Sequence, residues 1–255
     1  MSSHVEAGDR WLYACALATL VGGAWMALGM VSASSYAPYL SHDLPAEAAS
    51  AWARTAIFVS GWTVMCVAMM LPSSLPLVTV FRTITRRTPS LVLVLIAGYL
   101  AIWAAFGFAG FMLDAGLHAL VDRTDWRDGP RVIPAALLLT AGLFQFSSLK
   151  HSCLEQCRSP LGFVVAHWRG GSRLAGAFAL GVRHGIFCIG CCWALMLLML
   201  GAGGVSVGWM LALGAVMFVE KVVAWGRWIT IPVGVLLVVW GVALLARLPW
   251  IPRPF

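Results

Sequence analysis

The sequence predicts an all-α protein, a polytopic transmembrane helical bundle of about seven spans, with six spans as the alternative. Hydrophobic residues make up 61% of the chain and charged residues only 11%, whereas soluble proteins carry about a quarter charged residues. Several apolar runs reach about 18 residues or more, the length that a helix needs to cross the hydrocarbon core. These runs lack the alternation of barrel strands, so helices are the predicted elements.

The chain is expected to form a single integral membrane domain over residues 1–255. The predicted spans cover residues 11–33, 52–71, 91–114, 131–149, 174–200, 205–223 and 229–248. If the last two spans form one re-entrant pair, six remain and the C-terminus changes sides. No separate soluble domain and no repeat of fixed period interrupts the spans.

The distribution of positive charge predicts the orientation. Ten Lys or Arg residues flank the spans on the side of the N-terminus and six on the opposite side. The positive-inside rule then places the N-terminus in the cytoplasm. The net charge of +7 is spread over the loops, so it predicts a lipid bilayer as partner and no binding of nucleic acid.

The second span ends in a run that is rich in methionine. Met65 and Met69 are four residues apart and share a helix face, and Cys66 and Met70 form an adjacent pair at the same spacing. Pro72 and Pro76 each lack a backbone donor, so the helix is expected to kink or stop there. Methionine in a membrane helix usually only packs, but thioether ligands select Cu(I). A functional interpretation of this run therefore predicts copper.

The segment after the fourth span carries two cysteines, Cys153 and Cys157. If the segment is helical, both sulfurs lie on one face within reach of a shared ion. His151 is a candidate ligand or a hydrogen-bond partner of the ligands. Lys150 and Arg158 would favour the thiolate forms. A structural disulfide is disfavoured if the segment faces the reducing cytosol.

The fifth span holds Cys188 and Cys191 in a C-x-x-C motif, with Cys192 adjacent. This spacing suits either a shared metal ion or a redox dithiol. Arg183 and His184 precede the cysteines by about one turn, and ionisable groups at membrane depth indicate a functional site. His184 is a candidate ligand. Arg183 either supports the ligands or holds the bundle together.

Further residues near the ends and within the fifth and sixth spans complete the candidate site or shape it. Glu220 ends the sixth span beside Lys221 and is either a metal ligand, a proton acceptor or a partner of Arg183; Lys221 is expected to snorkel to the membrane boundary. Gly185 and Gly190 in the fifth span are expected to permit a close helix approach or irregular backbone.

These motifs occur in a fixed order that resembles a known pattern. The runs are Trp62-x-x-Met65-x-x-Ala68-Met69-Met70-Leu71-Pro72, Leu149-Lys150-x-x-Cys153-Leu154-x-x-Cys157-Arg158-x-Pro160, Cys188-x-Gly190-Cys191-Cys192-Trp193 and Glu220-Lys221. Over roughly residues 55–225 the chain resembles a bacterial family of uncharacterised, predicted metal-binding integral membrane proteins. One departure is Phe146-Ser147-Ser148, where a Thr-Pro step is expected.

The resemblance implies a location in the bacterial cytoplasmic (inner) membrane and a set of metal ligands. They are Met65, Met69, Met70, Cys153, Cys157, Cys188, Cys191, Cys192 and Glu220. From the chemistry of the residues, thiolates with thioethers match Cu(I), while an all-thiolate site would also suit zinc. Four thiolates from Cys153, Cys157, Cys188 and Cys191 suffice for four-coordination, with Cys192 or His184 as alternates.

The sequence thus favours a membrane protein that handles a soft metal, with copper ahead of zinc. Delivery, transport, sensing and a role as subunit of a membrane metalloenzyme all fit, with a membrane-protein complex or a metallochaperone as possible partner. Whether the chain is itself an enzyme stays open. The alternative is a transmembrane thiol–disulfide oxidoreductase that uses Cys188/Cys191 and Cys153/Cys157 as exchanging dithiols, although C-x-x-x-C is less usual for a redox pair than C-x-x-C.

The depth of the two cysteine groups decides between one site and two. Cys188 is about 16 residues into the fifth span, or roughly 24 Å, whereas Cys153 and Cys157 are expected at the inner surface. A single site requires residues 150–170 to re-enter the bundle, or the fifth helix to start later or break near Gly185. Otherwise there are two sites at different depths.

Overall fold

The structure is a computed structural model, which describes residues 2–34, 50–86, 88–124, 129–168, 173–201 and 206–246. These residues fold into helices joined by short turns, which confirms the all-α prediction. The helices are α1 (Ser2–Ser32), α2 (Ala51–Met69), α3 (Leu71–Ile84), α4 (Pro89–Thr124), α5 (Gly129–Phe144), α6 (Ser148–Arg158), α7 (Pro160–His167), α8 (Arg173–Gly201), α9 (Val207–Val222) and α10 (Thr230–Leu245). A short 3₁₀ helix, Gly226–Ile229, joins α9 to α10.

Five segments of the described ranges are long and apolar enough to cross a membrane. They are Cys15–Ser32, Ala51–Met69, Pro89–Leu117, Arg173–Met199 and Gly226–Leu245. A sixth is added if Val132–Phe144 and Ser148–Arg158, which are bent by 64° to each other, form one broken span. The sequence predicts a seventh at residues 205–223, but α9 has only 16 residues, fewer than the roughly 20 that a membrane span needs.

Proline and serine place the two helix breaks nearest the predicted site. α2 ends at Met69, and Pro72 lies in the first turn of α3, where its missing N–H would have no helical partner anyway. The stop is confirmed at Pro72, whereas Pro76 lies inside α3, which continues to Ile84. α6 begins after Ser147, whose Oγ accepts a hydrogen bond of 3.1 Å from the backbone N–H of Lys150. A serine cap thus opens α6 where a Thr-Pro step was expected.

The closest helix pair in the bundle is α4 with α8. Gly98 lies against the carbonyl of Phe178, and Gly181 lies against the carbonyl of Leu95. A side chain at either glycine would collide with the backbone of the other helix, so only glycine permits this approach. As a result Tyr99 of α4 is buried beside α8.

The α6 helix packs along α8 through a second close approach. A Cβ at Gly190 would lie 2.6 Å from Cys153 Sγ, so the glycine makes room for the cysteine of α6. The helix α8 continues unbroken through Gly185 and Gly190, so the expectation of irregular backbone there is wrong. Because α8 does not break, it is the turn between α5 and α6 that brings residues 148–158 back against the bundle.

The core contains most of the sulfur-bearing side chains of the described residues. One continuous hydrophobic cluster includes Met65, Cys66, Met69, Met70, Cys153, Cys188, Cys191, Cys192, Met196, Met199, Met210 and Met217. A second, smaller cluster around Phe81 and Phe163 joins α3, α4, α7 and α8. The candidate site lies within the first cluster.

Candidate metal centre

Three thiols on one face of α8 form the centre of the site. Cys188, Cys191 and Cys192 are spaced by three and four residues, so they project from the same side of the helix. All three are almost fully buried. The Cys191 and Cys192 thiols donate to the backbone carbonyl of Cys188 at 3.1 and 2.8 Å, so both are turned towards their own helix.

The α6 helix adds a fourth thiol. Side-chain interactions join the Cys157 thiol to those of Cys188 and Cys191. Cys153, one turn earlier, is packed against Gly190 and interacts electrostatically with Cys191. The cysteines of α6 and α8 therefore meet in one cluster, with Cys157 inside it and Cys153 at its edge.

The break between α2 and α3 adds a thioether. The Sδ of Met70 is 4.0 Å from the Sγ of Cys192. We call Met70, Cys157, Cys188, Cys191 and Cys192 the sulfur centre. Neighbouring residues of α2 have other roles: Met69 packs against Gly214 of α9, Met65 is buried in the surrounding core, and the Cys66 thiol interacts electrostatically with Cys188.

Two polar residues that the sequence analysis missed contact the sulfur centre. Lys221 Nζ is 2.9 Å from Cys188 Sγ, 3.6 Å from Met70 Sδ and 3.8 Å from Cys192 Sγ. The hydroxyl of Tyr99 is 3.2 Å from Cys188 Sγ. The expectation that Lys221 snorkels to a membrane boundary is wrong, because its side chain is only 5% exposed and points into the protein.

A buried ion pair lies directly beside the sulfur centre. Lys150 Nζ is 2.7 Å from Glu220 Oε2 and also donates to the carbonyl of Cys191 at 3.1 Å. Glu220 thus pairs with Lys150 and not with Arg183, which is exposed on α8. Arg158 donates to the backbone carbonyls of Glu220 and Ala224 at the end of α9. These contacts fix α6 against both α8 and α9.

The hydrogen bond of His184 Nε2 goes to a serine and not to a thiol, although His184 interacts electrostatically with Cys188 one turn further along α8. His184 Nε2 is 3.2 Å from Ser74 Oγ, and its ring stacks on Tyr99 at 5.6 Å. His151 is half-buried at the outer side of α6. The structure therefore places His184 behind the Tyr99 ring, and His151 outside the sulfur centre.

A cavity of about 590 Å³ adjoins α6. Its lining includes His151, Leu154, Glu155 and Arg158 from α6 and the turn residues Trp225, Arg227 and Trp228. Cys157, which is half-buried, lies between lining residues of α6 in the sequence. Of the four thiols of the sulfur centre, Cys157 is thus the most exposed.

The donor set of the sulfur centre suits Cu(I), because thiolates and thioethers are soft ligands. Among the described residues, however, no three His, Cys, Asp or Glu side chains are arranged as a formed metal site. The reason is visible in the hydrogen bonds: Cys191 and Cys192 donate to a backbone carbonyl, and the Lys221 ammonium lies among the sulfur atoms. To bind a metal ion, these thiols must lose their protons and turn away from the carbonyl.

Comparison with known proteins gives one match. The family model described as PpoB2, copper chaperone, matches residues 59–244, which include every residue of the sulfur centre together with Lys150, Glu220 and Lys221. No curated protein and no solved structure matches the chain. The family description names copper and supports neither zinc nor the thiol–disulfide oxidoreductase.

Proposed function

Since the chain belongs to the PpoB2 family of copper chaperones, we propose that it binds Cu(I) at the sulfur centre and delivers the ion from within a membrane. The observation that carries this proposal is the convergence of sulfur atoms from three separate parts of the chain. Met70, Cys157 and the α8 cysteines are far apart in the sequence, yet their side chains meet in one buried cluster. Cysteines that only fill space in the core would have no need to meet in one cluster.

The helix surfaces support a location in a membrane. Large apolar side chains are exposed along the long helices, for example Leu93 on α4 and Leu236 and Val239 on α10, each at 60% or more. An apolar exterior of this extent suits lipid and not water. We propose the bacterial cytoplasmic membrane, with the N-terminus in the cytoplasm as the distribution of Lys and Arg predicts.

Cys157 is the residue that we propose as the point of transfer. It contacts the buried thiols of Cys188 and Cys191 and is itself half-buried, next in the sequence to Arg158, which lines the cavity. Cu(I) passes between proteins by exchange of thiolate ligands, which requires at least one ligand that an incoming thiol can approach. A partner protein, either a metallochaperone or a subunit of a membrane metalloenzyme, would exchange copper with Cys157 from the cavity.

The test is anaerobic titration of the purified protein in detergent with Cu(I), in competition with bicinchoninate. We expect about one tightly bound Cu(I) per chain in the wild type, a loss of this binding in Cys157→Ser and Cys188→Ser, and its retention in Cys153→Ser. Zn(II) is expected not to compete. Failure of the wild type to take up Cu(I), or retention of Cu(I) in Cys188→Ser, would refute the proposed site.

Reconstitution into vesicles separates delivery from transport. If the protein delivers copper, loaded vesicles should pass Cu(I) to a chelator on one side of the membrane only, and the vesicle lumen should not accumulate copper. Accumulation in the lumen would contradict delivery and indicate transport instead. Cys188→Ser vesicles serve as the control for copper that is bound to lipid.

A further inference from the structure

The chain has only two lysines, and both lie at this centre. Lys150 and Lys221 are 0% and 5% exposed, whereas lysine is among the residues that are almost never buried without a partner. Lys150 has such a partner in the carboxylate of Glu220. The two buried cations therefore differ in what they contact, although they lie next to the same thiols.

The Lys221 ammonium contacts sulfur atoms, whereas the Lys150 ammonium contacts the carboxylate of Glu220. Within the described residues, all hydrogen bonds of the Lys221 Nζ go to sulfur, at 2.9 Å to Cys188, 3.6 Å to Met70 and 3.8 Å to Cys192. These sulfur atoms come from two different parts of the chain and surround one cation. A soft monovalent metal ion requires the same kind of surroundings.

We propose that the Lys221 ammonium holds the position of the cargo ion, and that loading exchanges this ammonium for Cu(I) within the site formed by Cys188, Cys192 and Met70. The inference rests on the proposed function, since it presumes that the sulfur centre binds Cu(I). Both cations carry one positive charge, so exchanging one for the other adds no positive charge to the buried site, and the thiol protons that the ligands lose on binding Cu(I) are released to the solvent. Placing a second positive ion beside the ammonium would be costly at this burial.

The exchange also supplies a means of release. Lys221 remains attached to α9 when its ammonium leaves the sulfur atoms, so it competes with bound Cu(I) at the high effective concentration of a tethered group. Lys221 therefore weakens the site and speeds the departure of the ion. A chaperone needs such a compromise, because a site that never releases its cargo cannot deliver it.

The first test follows the two lysines directly. Protein in which only lysine is labelled with ¹⁵N should give two side-chain Nζ signals, assigned by their loss in Lys221→Met and Lys150→Met. On addition of one equivalent of Cu(I), or of Ag(I) as a diamagnetic monovalent probe, we expect the Lys221 signal to shift and the Lys150 signal to remain. Bound metal is counted in the same sample by competition with bicinchoninate.

The outcomes separate the two proposals. If the metal binds and the Lys221 signal stays in place, the exchange is refuted while the proposed function stands. If neither Cu(I) nor Ag(I) binds to the wild type, the proposed function itself fails. A shift of both lysine signals would also contradict the exchange, because it would indicate a general rearrangement and not displacement of one cation.

The second test measures affinity and release. We expect Lys221→Met to bind Cu(I) at least tenfold more tightly than the wild type and to lose it more slowly to bicinchoninate. The matched control is Arg183→Met, which removes a cation that is exposed on α8 outside the sulfur centre and is expected to leave the release rate within about twofold. Unchanged or weaker binding in a folded Lys221→Met would overturn the inference.

Discussion

The close approach of α6 to α8 at Gly190 gives the sharpest structural prediction. In Gly190→Ala the new Cβ would lie 2.6 Å from Cys153 Sγ, whereas ordinary contacts of a Cβ begin at 3.4 Å. To restore an ordinary contact of 3.4 Å from the present 2.6 Å, the sulfur atom or the whole of α6 must move away by 0.8 Å. Overpacking of this kind costs about 1–3 kcal/mol, and any retreat of α6 carries Cys157 away from the α8 thiols.

A matched control isolates this cost. Gly22→Ala makes the same substitution in α1, where nothing lies within 4 Å of the new Cβ. It therefore gains the higher helix propensity of alanine, about 1 kcal/mol, without a collision. In chemical unfolding in detergent we expect Gly190→Ala to be less stable than Gly22→Ala by about 1–3 kcal/mol. Its affinity for Cu(I) should also fall, whereas that of Gly22→Ala should not.

A double variant tests the mechanism. Cys153→Ala removes the sulfur atom with which the new Cβ collides, so Gly190→Ala with Cys153→Ala should recover most of the lost stability, as residues in contact are energetically coupled. Affinity for Cu(I) should recover as well, because Cys153 lies at the edge of the sulfur centre. The reasoning is refuted if Gly190→Ala is as stable as Gly22→Ala, or if the two substitutions show no coupling.

Three further predictions concern the residues around the thiols. Lys150→Met and Glu220→Gln should each lower the free energy of unfolding by about 3–5 kcal/mol, because each leaves one partner of a buried ion pair unpaired. The double variant should lose less, and single variants as stable as the double variant in chemical unfolding would contradict the ion pair. Met70→Leu keeps the side-chain volume but removes the thioether, so it should weaken Cu(I) binding in the bicinchoninate assay. Met69→Leu should leave Cu(I) binding unchanged, because the Met69 side chain packs against Gly214 of α9. Tyr99→Phe removes the hydroxyl at 3.2 Å from Cys188 Sγ and should cost about 1 kcal/mol of stability, and an unfolding midpoint equal to that of the wild type would argue against this contact.

Composition and proline chemistry were enough to predict the helices. Long apolar runs have few alternatives to a helix, and Pro72 can be accommodated only at the start of a new one. The number of spans was harder, because α9 is apolar in sequence but short in structure, and the apolar α5 bends by 64° into the more polar α6. The length of a helix within an apolar stretch depends on where the chain turns. In the sequence, the turn at Ser147 is marked only by the serine that caps α6.

The cysteines and Lys150 of the candidate centre were named from the sequence, whereas Lys221 and Tyr99 were missed. The C-x-x-C of α8 and the C-x-x-x-C of α6 identify thiols by spacing alone, but spacing does not give the depth at which α6 meets α8. Lys221 was misread because a charge near the end of a span usually marks the boundary. A signal was present: the 17 Lys and Arg residues include only two lysines, at positions 150 and 221, and each lies within a motif.

The arrangement of the site combines one continuous helix with three helix ends. The helix α8 presents Cys188, Cys191 and Cys192 without a break. The groups around these thiols come from the break at Met70, from α6, the second helix of the α5–α6 bend, and from the last turn of α9, which bears Lys221. Helix ends open locally at lower cost than the middle of a packed helix. The groups at the helix ends can therefore change partners while the thiols on α8 keep their spacing. Exchange of an ammonium for a metal ion requires this combination.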